Sequence, residues 1–250
     1  MSIPLQAIIL AAGKGSRLGP VAANRPKALV EVGKRALLDH VRHSLAHAGV
    51  RRTIIVVSYQ AEQIEAHLRS SRVPRQESTT VWQAVPQGTG QAVSLAVNAL
   101  DAGPTWITYA DIMVEPTEYK RMANTFDAHV CDMMFAVVEV DDPYQGAAVY
   151  FNPDHRITQI VEKPKQGSSS TRWNSAGVYI AQPSLFPHLS ALKPSARGEF
   201  ELPDAITSLL GAGGDVRAFP LQGWWADVGR PEDLERVNAL LKRRKDEPKE

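Results

Sequence analysis

The segment Ala7-Ile8-Ile9-Leu10-Ala11-Ala12-Gly13-Lys14-Gly15-Ser16-Arg17-Leu18 constrains the fold more than any other. An unbroken apolar run ending in Gly-x-Gly reads as a buried strand that feeds a phosphate-sized loop. Backbone N–H groups in such a loop approach an anion closely, because no Cβ stands in the way. Lys14, Arg17, Arg25 and Lys27 add four cations within fourteen residues, on a chain whose net charge is only +1. This clustering favours a polyphosphate cradle over an ordinary strand-to-helix turn. Two familiar phosphate loops are excluded. The chain has no G-x-x-x-x-G-K-[ST]. Leu18 stands where a dinucleotide fingerprint needs its third glycine, and no acidic residue closes a second strand near residues 53–58.

The surrounding pattern is that of an α/β protein. Ala7–Ala11, Thr53–Ser58, Thr79–Gln83 and Thr105–Tyr109 read as short buried strands. Leu38, Val41, Leu45 and Ala48 mark one face of a helix that Gly49 stops, and 61–70 and 91–100 read as two more helices. Such alternation predicts a Rossmann-like, mostly parallel sheet flanked by helices. The stretch 12–35 is too long for a routine connection, and loops of that length are usually functional. After Asp127 the segments 133–140, 146–151, 156–162 and 177–181 are strand-like with little helix between them, which predicts an antiparallel extension of the sheet. Residues 202–210 and 231–244 read as late helices, 165–171 as a flexible loop and 242–250 as a frayed charged tail.

Composition bounds the rest. At 250 residues, 44% hydrophobic and 22% charged, the chain can bury one large core, and no boundary divides it, so a single domain spanning 1–250 is expected. Near-neutral charge argues against a general nucleic-acid surface. Cys131 is the only cysteine, so no intrachain disulfide can form, and it sits in an apolar strand as a core residue. The N-terminus lacks a charged leader, and no apolar stretch approaches the ~18 residues of a membrane span. A soluble cytoplasmic protein is expected. His40, His43 and His47 share a helical face that reads as solvated surface and not as a metal site.

Three further segments carry chemistry. Gln83-Ala84-Val85-Pro86-Gln87-Gly88-Thr89-Gly90 follows a strand and opens a helix, and Gln83 can offer a donor and an acceptor to a base edge. Asp111 follows the run Trp106–Ala110, at the carboxyl end of a strand where open α/β sheets bind ligands. Glu162-Lys163 sets a carboxylate beside a cation at the end of a strand-like segment, a pair that by itself would usually be solvated surface.

Leu10-Ala11-Ala12-Gly13-x-Gly15-Ser16-Arg17-Leu18, followed by Pro26-Lys27, resembles the signature of the sugar-1-phosphate nucleotidyltransferases, or nucleotide-sugar pyrophosphorylases. Val161-Glu162-Lys163-Pro164 and Trp225-x-Asp227-x-Gly229, ahead of Pro231-Glu232-Asp233-Leu234, resemble later marks of the same family. The resemblance implies condensation of an NTP with a sugar 1-phosphate to give an NDP-sugar and pyrophosphate. It implies nucleotide contacts from Leu10, Ala11, Ala12, Gly13, Lys14, Gly15, Gln83, Gly88 and Thr89. Sugar contacts fall to Gly146, Glu162, Asn174 and Ser175, and catalytic charges to Arg17, Lys27 and Lys163. Mg²⁺ is implied on Asp111 and Asp227, which lie 116 positions apart. The loop that begins at Gln83 resembles the base-binding loop of the uridylyltransferase form, favouring UTP or dTTP, although Pro86 stands where that form often has a second glutamine. Ala110 replaces the family's usual glycine, and Arg230 its usual threonine. Asn174-Ser175-Ala176-Gly177-Val178-Tyr179 is one residue longer than the family's Asn-x-Gly-x-Tyr, so either Ser175 takes the Asn position or the strand bulges. The resemblance does not extend to the acyltransferase β-helix domain of some bifunctional relatives, and assembly into a homo-oligomer is left open. The rival expectations are a cytidylyl- or guanylyltransferase acting on a non-sugar phosphate, and a non-catalytic nucleotide-sugar sensor.

Overall fold

The computed structural model describes residues 4–129 and 131–246. The chain runs through β1 (Gln6–Leu10), β2 (Glu31–Val32), β3 (Arg35–Ala36), α1 (Leu37–His47), β4 (Arg52–Val57), α2 (Ala61–Ser70) and β5 (Glu77–Trp82). It continues with α3 (Thr89–Val97), β6 (Thr105–Tyr109), β7 (Ile112–Val114), α4 (Pro116–Ala128), β8 (Met133–Glu139), β9 (Ala147–Phe151) and β10 (Ile157–Glu162). It closes with β11 (Trp173–Ala181), α5 (Phe186–Ser190), α6 (Leu202–Gly211), β12 (Val216–Pro220), β13 (Trp225–Asp227) and α7 (Pro231–Asp246). The alternating first half and the strand-rich second half form the expected mixed α/β fold.

A nine-stranded sheet organises these elements, with the path β10-β9-β11-β6-β1-β4-β5 and with β8 and β12 joined through β11. β1 lies between β4 and β6 and is parallel to both, so its five residues are buried on both faces. That explains the continuous apolar run, since a central parallel strand has no solvent side. Successive residues still point to opposite faces. Ile9 belongs to the core cluster that holds Leu38, Val41 and Leu45 of α1 and Phe126 of α4, whereas Ile8 belongs to the one that holds Val93 of α3 and Ile206 of α6. Burying each such side chain stabilises the fold by about 1.5–3 kcal/mol. The chain travels from β1 to β4 and β5 on one side, then crosses back to β6 on the other. That reversal opens a crevice at the carboxyl ends of β1 and β6. The backbone N–H of Ala110 donates to the Leu10 carbonyl at 2.9 Å, so the glycine loop and Asp111 begin side by side.

Several elements differ from the sequence expectation. α4 and β12 went unread, and α3 begins two residues earlier than the expected 91. α4 was hidden because it opens on Pro116 and Thr117 and mixes polar residues with its buried Tyr119, Met122 and Phe126. α7 continues through Asp246, so residues 242–246 are helical, and 247–250 lie outside the described residues. The histidine face is not simply solvated. His40 Nε2 bonds the Val32 carbonyl oxygen at 2.8 Å, and burial pushes its imidazole below the ordinary 6.5. His43 Nδ1 bonds the Asp39 carbonyl at 2.7 Å, and of the three only His47 is exposed. Apolar spacing could not show this, because the β2–β3 hairpin that covers His40 is a tertiary neighbour.

Beneath α1 and α2 lies a buried polar knot. Arg42 Nη1 donates to Asp39 Oδ1 at 2.8 Å, while Asp39 Oδ2 bonds His67 at 2.8 Å and accepts from Ser71 Oγ at 2.7 Å. Burial alone raises the Asp39 pKa. The bonds from Ser71 and His67 and the charges of His67 and Arg42 outweigh it and hold the carboxyl below the ordinary 3.8. Asp39→Ala should therefore cost about 3–5 kcal/mol in urea unfolding at pH 7, because it leaves the Arg42 guanidinium buried without its partner. The depressed folded pKa means that this contribution is complete above pH 3.8 and is lost as pH falls through the folded value. A loss below 1 kcal/mol would show that water reaches Arg42 freely.

Candidate active site

Two cavities open at the carboxyl ends of β1 and β6. The smaller, about 260 Å³, is lined by Leu10, Ala11, Ala12 and Gly13 of the glycine loop, by Lys27, and by Gln83, Gly88 and Thr89. The larger, about 620 Å³, is lined by Arg17, Asp111, Asp227, Gly146, Glu162, Lys163, Asn174 and Ser175. Thr89, Tyr109, Asp111 and Glu199 line both, so the two cavities share one wall. Of the residues singled out in the sequence, Lys14, Gly15 and Arg25 line neither cavity, and Lys14 and Arg25 are exposed. Gly15 acts one step back. At φ +69° it lies where an added Cβ would come 2.8 Å from Lys27 Cβ, so its bareness lets the lysine stem pass.

Lys27, Asp111 and Asp227 meet at the junction. The cause is topological: β7 and β13 form a two-stranded antiparallel ribbon with Asp227 opposite Ile112, and Val228 N–H donates to the Asp111 carbonyl at 3.0 Å. Lys27 Nζ is hydrogen-bonded to Asp111 Oδ2 and lies 4.0 Å from Asp227 Oδ1. Lys27 is nearly buried, whereas Asp227 remains half-exposed to the cleft. Removal from bulk water raises the Asp227 pKa and the Asp111 charge raises it further. Lys27 and Arg17 oppose this, and the net position is above the ordinary 3.8. Two carboxylates are thus held close enough to repel, with one lysine shared between them.

The larger cavity has its own charge pattern. Burial lifts Glu162 above the ordinary 4.5, with Lys163 and Arg197 pulling it down and Glu201 and Asp204 pushing it up. Lys163 takes φ +45°, and its backbone N–H donates to the Gly146 carbonyl at 2.7 Å. Asn174 Oδ1 is buried without a hydrogen-bond partner in this wall, an acceptor that a ligand could satisfy. The length discrepancy in the 174–179 segment resolves as a bulge. The register of β11 against β8 shifts between Ser175 and Tyr179, around Gly177 at φ +72°. An added Cβ there would come 3.1 Å from both Ile112 and Tyr109. The bulge lets Ser175 Oγ reach Tyr179 Oη at 2.9 Å, and the Trp225 indole ties β13 to it through the Ala176 carbonyl at 2.8 Å. Burial pushes the Tyr179 phenol up to about 12, so it serves as a neutral hydrogen-bonding group.

Sequence reading missed Arg197. It lines the larger cavity, pairs with Glu201 at 2.6 Å and lies 3.6 Å from Glu162. Its only signal was its position just before Gly198-Glu199-Phe200-Glu201. Arg230 also lines this cavity, in the place where the family usually has threonine.

Comparison with known proteins agrees with this architecture. Residues 6–244 match the model of the nucleotidyl transferase family. The UTP–glucose-1-phosphate uridylyltransferase of Haloferax volcanii is 30% identical over 252 residues, covering 95% of this chain and 96% of that protein. The bifunctional protein GlmU of Methanococcus maripaludis is 31% identical over 94% of this chain and 54% of its own length. The chain spans about half to two thirds of the length of several curated relatives it matches. The crystal structure of a putative glucose-1-phosphate thymidylyltransferase from Bacillus anthracis, in complex with a sucrose, superposes with a TM-score of 0.85 at 26% identity, covering 94% of each chain. No helix among the described residues is long and apolar enough to cross a membrane. The chain belongs to the nucleotidyl transferase family.

Proposed function

We propose that this chain, acting as one cytoplasmic domain, transfers a nucleotidyl group from an NTP to a sugar 1-phosphate. The observation that carries the reading is a pair of joined cavities with Lys27, Asp111 and Asp227 at their junction. A phosphate oxygen of the sugar 1-phosphate attacks the α-phosphorus of the NTP. The bond from that phosphorus to the oxygen bridging the β-phosphate breaks, and pyrophosphate leaves with the electron pair. No covalent enzyme intermediate is required, so the protein contributes orientation and charge neutralisation.

In this reading the smaller cavity takes the nucleoside and the larger the sugar. Leu10, Ala11, Ala12 and Gly13, with Lys14 and Gly15 beyond them, wrap the triphosphate, and Gln83, Gly88 and Thr89 hold the base. Gly146, Glu162, Asn174 and Ser175 contact sugar hydroxyls. Lys163, with Arg197 near it, receives the incoming phosphate, and Arg17 and Lys27 hold the leaving pyrophosphate. The junction fits Mg²⁺, because Asp111 and Asp227 offer hard oxygen donors whose mutual repulsion a divalent cation relieves. Those two carboxylates would hold it, and when bound it would neutralise phosphate charge. The base in this reading is uracil or thymine, since Gln83 can accept from an imide N–H.

The direct test is pyrophosphate release across five NTPs and several sugar 1-phosphates. UTP or dTTP should lead, and Gln83→Ala should flatten the preference. A kcat/KM at least tenfold higher for GTP or ATP would overturn the base assignment, and release only with a polyol or choline phosphate would overturn the sugar. Arg17→Ala should slow single turnover at saturating NTP by on the order of 10²–10³, with a smaller effect on NTP affinity. Asn at Asp111 or Asp227 should nearly abolish turnover while leaving the circular dichroism spectrum intact, and the double variant should be little worse than either single one. Because Asp227 must be ionised to serve and its pKa is raised, kcat/KM should fall on the acid side at a pH above the ordinary 3.8. A flat profile down to pH 4 would remove Asp227 from the mechanism.

A further inference from the structure

Gln83 is 2% exposed at the end of β5 and lines the smaller cavity. Its amide is tied into a short relay. Nε2 donates to the Gly88 carbonyl at 3.3 Å and to Gln91 Oε1 at 2.7 Å. Gln91 Oε1 also accepts from the backbone N–H of Gln87 at 3.2 Å, and Gln91 Nε2 donates to Gln87 Oε1 at 2.7 Å. Both ends of this relay are main-chain groups with one role each, since a carbonyl only accepts and an N–H only donates. Turning the Gln83 amide over would aim its oxygen at the Gly88 carbonyl oxygen. Turning Gln91 over would aim donors at the Gln87 N–H. One orientation satisfies both.

The loop holding those main-chain groups is itself pinned. Phe200 N–H donates to the Gln87 carbonyl at 2.7 Å, and Gly90 N–H donates to the Phe200 carbonyl at 2.8 Å. Gly88 sits at φ +113°, where an added Cβ would strike the Phe200 backbone. With its nitrogen so engaged, Gln83 has only Oε1 left for a ligand. That oxygen takes no hydrogen bond from the described residues and is not among the sealed, unpartnered atoms, so it opens to the cavity.

We infer that Gln91 is a positioning residue that locks Gln83 as a hydrogen-bond acceptor, and that this lock makes the cavity select uracil or thymine against cytosine. The inference rests on the proposed reading that Gln83 meets the base edge. Uracil and thymine carry a donor at N3, which the fixed Oε1 accepts. Cytosine carries an acceptor there, so two lone pairs would face each other with no proton between them. A glutamine free to turn serves either base, because its amide offers a donor on one side and an acceptor on the other. Discrimination therefore rests chiefly on Gln91, which makes the shorter of the two bonds to the Gln83 amide and need not touch the nucleotide.

The test is calorimetric binding of UTP and CTP, with kcat/KM for both, on wild type, Gln91→Leu and Gln91→Glu. Wild type should favour UTP by about 10²-fold or more. Gln91→Leu removes the shorter of the two bonds that fix the Gln83 amide, leaving only the 3.3 Å contact to the Gly88 carbonyl, and should shrink that ratio by about tenfold, mostly through tighter CTP binding. Gln91→Glu keeps an oxygen that accepts from both Gln83 and the Gln87 N–H, so it should retain the wild-type ratio within about threefold. A folding defect would weaken both nucleotides alike and leave the ratio unmoved. An unchanged ratio in Gln91→Leu, or an equal loss in Gln91→Glu, overturns the lock while leaving the base contact standing. Equal binding of UTP and CTP by the wild type overturns the base contact itself, and the lock with it.

Discussion

Everything around the crevice depends on the packing of two carboxylates against one lysine. Asp111 leaves β6, Asp227 ends β13, and the β7–β13 ribbon holds them together while Lys27 arrives from the long loop after β1. Removal from bulk water, and then the neighbouring Asp111 charge, hold the Asp227 pKa above its ordinary value although Lys27 and Arg17 are near. Such a cluster is expensive for a fold unless a ligand or cation shares the charge, and clusters of this kind gather at functional sites. A buried apolar cluster of Leu18, Val30, Leu37, Met113, Val228 and Val237 joins the loop after β1 to β7, α7 and the segment after β13.

The junction also explains why two cavities of different character share a wall. The smaller is bounded by the small residues Ala11, Ala12 and Gly13 after β1 and by Gly88 and Thr89 at the start of α3. The larger is bounded by the antiparallel extension, whose bulged strand β11 turns Asn174 and Ser175 into its wall beside Glu162 and Lys163. Hydroxyl groups fill the partition. Tyr179 Oη meets Ser175 Oγ at 2.9 Å, and Tyr109 and Thr89 line both cavities. Loss of bulk solvent raises the pKa of both the Tyr109 and Tyr179 phenols, so the wall can carry hydrogen bonds without adding charge.

Polar ordering recurs at a distance from the junction. The Gln83–Gln91–Gln87 relay and the Asp39–Arg42–His67–Ser71 knot each commit side chains whose sequence positions look interchangeable with any surface residue. In both, main-chain or buried partners dictate the orientation, and an amide or carboxylate becomes a directional group. Where such a network is buried, as around Asp39 and Arg42, it specifies one arrangement because the alternatives leave a group unsatisfied.

The sequence by itself determined the central strand, the loop after it, the strand–helix alternation and the family, because apolar periodicity and the Gly-x-Gly turn are local consequences of backbone sterics and solvent exclusion. It also marked Asp111, Glu162 and Lys163 by their positions at strand ends. It did not show α4, whose polar residues mask its buried stripe, or the covered histidine face of α1, which depends on the β2–β3 hairpin. Arg197 was equally invisible, being a lone cation in an irregular loop. Only the tertiary structure decided that residues 116 positions apart share one lysine, that Lys14 and Arg25 line neither cavity while Lys27 does, and that the strand at 174–179 bulges. Those outcomes are set by which strands pair and in what register, and pairing between distant segments leaves no periodic trace in the chain.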